Sequence, residues 1–116
     1  MVVMTLKGGD TMKVTIDTPI NVTGHIFICD TEADIEVNAD LKTTAGKIYI
    51  LGRSVLLNAN LQATSDIKVC GIEEQNERKG LSIIGENVFI GAAHFPASFM
   101  QGQHITGNVL SVVEIR

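Results

Sequence analysis

A step of about 21 residues runs through this chain and constrains its fold more than any other feature. Ile35-Glu36-Val37-Asn38-Ala39-Asp40-Leu41 returns as Val55-Leu56-Leu57-Asn58-Ala59-Asn60-Leu61, and Val14-Thr15-Ile16-Asp17-Thr18-Pro19-Ile20 fits one step earlier. The same step relates Ile20-Asn21-Val22-Thr23, Leu41-Lys42-Thr43-Thr44, Leu61-Gln62-Ala63-Thr64 and Leu81-Ser82-Ile83-Ile84. A third family comprises Met4-Thr5-Leu6-Lys7, Ile26-Phe27-Ile28-Cys29, Ile48-Tyr49-Ile50-Leu51, Ile67-Lys68-Val69-Cys70 and Val88-Phe89-Ile90-Gly91. Each period therefore holds three short segments with strand alternation, set apart by turn residues such as those around Asn38 and Gly46.

Three strands in so few residues leave no room for intervening helices, and equivalent residues always return to equivalent places. They suit a coil that closes on itself and stacks on the next, its segments pairing in parallel. The predicted fold is all-β: a right-handed parallel β-helix, or β-solenoid, with three short strands per coil of about 20–21 residues and about five coils, the hand following the general rule. Ile, Val and Thr supply 35 of the 116 residues, a bias toward the stiff β-branched side chains that strands favour. One domain spans residues 1–116, with an inserted loop at 71–80 and an irregular covering segment at 92–104, where the repeat breaks.

Alternation directs Val14, Ile16, Ile20, Val22, Ile26, Ile28 and their repeat equivalents inward, so the expected interior is almost wholly aliphatic. Two polar ladders share the register, Asp17-Asn38-Asn58 at one corner and Thr23-Thr44-Thr64 near another. Both are read as corner stabilisation, since stacked amides bond to one another along a solenoid. Cys29 and Cys70 occupy the same place two coils apart, roughly 9.6 Å by strand spacing, too far for a disulfide. They are expected to be free thiols.

Residues 55–69, with their apolar-Asn-Ala-x-Leu-x-Ala pattern continuing to Ile67, resemble the repeats of filamentous hemagglutinin and related bacterial exoproteins. The resemblance spans about residues 12–91 and implies a right-handed β-helix used for surface adhesion or as a rigid stalk displaying loops. Bactofilin-like cytoskeletal solenoids are a second, weaker resemblance, implying end-to-end polymerisation through the strand patterns at Val2–Leu6 and Val109–Ile115. The compartment divides the same way. The exoprotein resemblance implies the bacterial surface, whereas two free cysteines and the lack of a signal-peptide pattern in residues 1–13 point to the cytoplasm.

Function is expected to be non-enzymatic. His25, His94 and His104 have no nucleophile placed by spacing, and the outward positions stack no pair of carboxylates of the kind that glycoside cleavage needs. No cofactor or metal set is found. A net charge of −4 argues against nucleic acid as partner, and no apolar run is long enough for membrane insertion. The strongest interaction signal is an outward stripe, Phe27, Tyr49, Lys68 and Phe89, which holds three of the five aromatic residues beside Cys29, Leu51 and Cys70. Phe95, Phe99 and Met100 are candidates to cover it from within the chain or to join it in binding. The loop residues Glu73, Glu74, Glu77 and Arg78 complete the expected partner surface. The partner is a protein, a cell-surface ligand or a second copy, end to end or side by side.

Overall fold

The computed structural model describes residues 2–4, 12–72, 80–92 and 103–114. Ten strands occur among them: β1 (Val2–Met4), β2 (Met12–Ile16), β3 (Ile20–Val22), β4 (Ile26–Val37), β5 (Leu41–Thr43), β6 (Ile48–Leu57), β7 (Leu61–Gln62), β8 (Ile67–Ile72), β9 (Ser82–Ala92) and β10 (His104–Glu114). No helix is present among the described residues. Every strand pairing is parallel, and the pairs join strands one coil apart. The chain is a β-solenoid.

Three faces follow from the register. The first stacks β1, the first half of β4, the first half of β6, β8, and the later halves of β9 and β10, so that Val2, Ile26, Ile48, Ile67, Val88 and Val109 lie in one column. The second stacks β2 on the later halves of β4 and β6 and continues through Ile72 and Ala92 to Glu114. The third stacks β3, β5, β7 and the first halves of β9 and β10, through Ile20, Leu41, Leu61, Ile83 and Ile105.

The coil is not of constant length. Between β4 and β6 the pairing jumps from Asp30↔Gly52 to Asp34↔Ser54, and between β6 and β8 from Leu51↔Cys70 to Val55↔Ile72. Each jump removes two residues at the same corner. Deletion in pairs keeps every side chain on its own face, because strand periodicity is two. Gly71 sits at this corner with φ of 102°. A Cβ there would overlap the carbonyl oxygen of Gly52 in the coil beside it, so only glycine allows the tightened turn.

The same periodicity corrects two expected registers. Val2, not Met4, stacks on Ile26, and Ile83, not Leu81, stacks on Leu61. Each slip is of two residues. Alternation cannot detect such a slip, since the same residues still face inward. Leu81 is nonetheless buried at the corner before β9.

Inside, the expected aliphatic residues form one cluster from Val14 to Ile90. Ile28, Ile50, Val69 and Ile90 are vertical neighbours and essentially inaccessible, as are Ile26, Ile48, Ile67 and Val88. Ile20 and Val22 at one end of the third face and Ile105 at the other are only partly buried, although they continue the same columns. Ala33, Ala39, Ala59 and Ile72 also join the core, at corners that repeat patterning leaves ambiguous.

The amide ladder is present. Asn38 Nδ2 donates to Asp17 Oδ1 at 2.9 Å, and Asn58 Nδ2 donates to Asn38 Oδ1 at 3.0 Å. The threonine ladder is only half formed: Thr23 and Thr44 hydroxyls meet at 3.2 Å, but Thr64 Oγ1 instead accepts from the Gly46 backbone N–H at 2.9 Å. A hydroxyl on a short, branched side chain bonds to the nearest backbone more easily than it spans another rung. Thr43, beside this corner, is fully buried and donates to the Gly24 carbonyl. An amide ladder absent from the expectations runs along a further corner, where Asn87 Nδ2 donates to Asp66 Oδ1 at 2.9 Å and Asn108 Nδ2 to Asn87 Oδ1 at 3.5 Å.

Candidate docking surface

The outward side of the first face is built by the same alternation that fills the core. With Ile26, Ile28 and their equivalents turned inward, Phe27, Tyr49, Lys68 and Phe89 must point out. Pairing places these four in consecutive rungs: Phe27 beside Tyr49, Tyr49 beside Lys68, Lys68 beside Phe89. All four are half-buried, as expected of side chains that lie against their neighbours in a column. The Phe27 and Tyr49 rings are 5.4 Å apart between centroids, tilted by 52°. Phe95, Phe99, Met100, Glu73, Glu74, Glu77 and Arg78, also expected at the partner surface, lie outside the described residues.

Sequence reasoning missed the flank of this column. His25 stacks on Phe27 with centroids 5.4 Å apart and planes 21° from parallel. Its Nδ1 accepts the Lys47 backbone N–H at 3.1 Å, which leaves the imidazole N–H of the neutral ring at Nε2. Lys47 carries its ammonium 5.8 Å from the centre of the Tyr49 ring. Tyr49 thus has one ammonium over its ring and, one rung on, the Lys68 side chain. The signal was present, because His25 and Lys47 each precede a stripe residue by two positions and so share its face.

On the other side of the column stand Cys29, Leu51 and Cys70, again in consecutive rungs and half-buried. Both cysteines are free, as their separation by a full intervening coil requires. Burial pushes both thiols up from the ordinary range, opposed at Cys29 by a backbone hydrogen bond from Leu51 and at Cys70 by the Lys68 ammonium. Neither is activated as a nucleophile.

Two carboxylates of the second face, Glu36 and Asp34, are engaged in ion pairs. Glu36 meets Lys13 at 2.9 Å and also accepts from Asn38 at 3.3 Å, which together hold its carboxyl below the usual range. Asp34 is gripped by Arg53, with the closest contact 2.7 Å. A general acid needs the opposite shift, a raised carboxyl. Among the described residues no group of three or more His, Cys, Asp or Glu could hold a metal ion.

The third face carries a shallow groove of roughly 230 Å³ bounded by Asp40, Lys42, Asn60, Gln62, Ser82 and Ile84. Asp40 Oδ1 accepts the Asn60 N–H at 2.9 Å and Asn60 Oδ1 accepts the Ser82 N–H at 2.8 Å, so part of its polar lining is committed to holding rungs together. Its volume falls below that of ordinary small-molecule pockets, about 300–1,000 Å³.

No protein-family model, curated protein or solved structure matches this chain.

Proposed function

We propose that this chain is a non-enzymatic structural or adhesive module, a rigid β-solenoid that docks a partner through the outward side of its first face. The observation that carries this reading is the registered column Phe27, Tyr49, Lys68 and Phe89, with an apolar column of Cys29, Leu51 and Cys70 alongside. A column of large side chains beside an apolar one on a stiff scaffold makes the kind of patch that proteins use for association. The lowered carboxyl of Glu36 and the raised thiols favour this reading over a hydrolytic or nucleophilic one.

Tyr49 is the single tyrosine in a chain with no tryptophan, so its emission reports on this surface alone. Collisional quenching of Tyr49 by acrylamide in the isolated full chain is expected to be efficient, and to fall when the surface is occupied. Efficient protection in a monomer would mean that the chain covers the column itself, and the reading would fail.

A second reading, end-to-end self-association, is supported by the interior columns of the third face. Ile20 and Val22 at one end and Ile105 at the other are half-buried, while Leu41, Leu61 and Ile83 between them are sealed. A second copy stacked on either end would complete their burial. Light scattering that rises with concentration and is abolished by Ile105→Lys, but unaffected by Tyr49→Ser, would favour this reading over lateral docking.

A further inference from the structure

We propose that the partner of the first face is an acidic polypeptide segment, one that carries carboxylates interspersed with apolar side chains. The inference rests on the docking reading above and adds the chemistry of the occupant.

The chain as a whole is acidic, with a net charge of −4, yet the outward column and its flank hold Lys47 and Lys68 around a tyrosine ring, next to His25. Neither lysine has a carboxylate within 4.0 Å among the described residues, whereas Lys13 and Arg53 on the second face are both paired. The nearest carboxylate in the flanking column, Asp66, accepts from Asn87 at the corner. Two ammoniums with no carboxylate in reach among the described residues, the Tyr49 hydroxyl and the His25 Nε2–H therefore form a donor-rich strip. Such a strip attracts anions by steering and by charge-assisted hydrogen bonds.

Apolar surface decides between classes of anion. Aromatic rings interleaved with lysines also suit single-stranded nucleic acid, where bases stack on rings and phosphates meet cations. Here the second column is Cys29, Leu51 and Cys70, which offers neither a ring nor a cation to a following nucleotide. It suits aliphatic side chains. A segment with carboxylates toward Lys47 and Lys68 and apolar groups toward Leu51 matches both columns at once. The overall negative charge of the chain adds a long-range penalty for a polyanion with a charge at every unit.

The test uses the intact chain and short fluorescent peptides that alternate Glu with Leu, Gln with Leu, or Lys with Leu, together with an oligothymidylate. Anisotropy and Tyr49 emission are both followed. The Glu–Leu peptide is expected to bind and change Tyr49 emission, to weaken as salt is added, and to lose about tenfold in affinity in the Lys47→Gln/Lys68→Gln double variant, with unchanged circular dichroism and melting. Equal binding of the Gln–Leu peptide would overturn the acidic partner and leave docking intact. Preference for Lys–Leu or for the oligothymidylate would overturn it as well. If no probe binds, the acidic partner falls. Tyr49 quenching then decides separately whether the surface is open, and so whether the docking reading falls with it.

Discussion

Residues 26–29, 48–51, 67–70 and 88–91 present two columns of the same spacing with opposite consequences. The inward one, Ile28-Ile50-Val69-Ile90, is uniformly aliphatic and sealed; the outward one, Phe27-Tyr49-Lys68-Phe89, mixes rings with a cation and stays half-buried. The contrast teaches which constraint each side obeys. An interior position touches residues of the other two faces, so its size is set by the width of the coil and only aliphatics of similar volume repeat well. An outward position touches only its neighbours along the strand and the rungs before and after it. Its identity is free to serve association.

The inward column is the easier to break. Ile50→Ala is expected to cost about 2–5 kcal/mol, read as a drop in denaturant midpoint, because a fully buried side chain leaves a cavity between rungs. Ile105→Ala, at the open end of its column, should cost clearly less, and equal losses would mean that the end is sealed in solution. Next in size is Gly71→Ala, where positive φ and the Gly52 carbonyl oppose any side chain. A loss of about 1–3 kcal/mol is expected in thermal or urea unfolding.

Asn38→Ala removes the middle of the amide ladder and both of its inter-rung bonds, for an expected loss of about 1–2 kcal/mol. Thr23→Ala should have a smaller effect, since one exposed hydroxyl bond is lost. On the outward column Tyr49→Ser is expected to cost about 0.5–1.5 kcal/mol through its ring contacts, well below Ile50→Ala, while abolishing whatever docks there. Comparable losses at the two positions would erase the distinction between the columns.

The smallest effect concerns pH. Glu36 is held below the usual carboxyl range by Lys13 and Asn38, so its stabilisation is fully present above the ordinary glutamate value and fades as pH falls through the lowered one. Lys13 is raised by the same contact and loses its share only as pH climbs through its elevated value. Urea midpoints of wild type and Glu36→Gln should therefore converge on acidification between about pH 6 and pH 3.

Much of this was legible in the residues. Repeats such as 35–41 and 55–61 are long enough to specify which residues stack, and Ile35↔Val55 and Val37↔Leu57 pair as their alignment requires. Where a repeat is short and simply alternates, as at Val2, Met4 and Leu6 or at Leu81 and Ile83, alignments two residues apart serve the pattern equally. The threonine corner departs from a simple ladder for a related reason. Thr64 has a competing backbone partner at Gly46, visible only once the turn has formed.

Periodicity therefore determined, from the chain alone, that this is a parallel β-solenoid with an aliphatic interior and an outward aromatic column, because side chains on a strand have only two directions to choose between. Tertiary structure alone decided which two-residue register each coil adopts, how the corner at Gly71 shortens, and that His25 and Lys47 gather around the Phe27 and Tyr49 rings. Those outcomes depend on contacts between coils, and a local pattern that is unchanged by a two-residue slip carries no energy difference to choose among them.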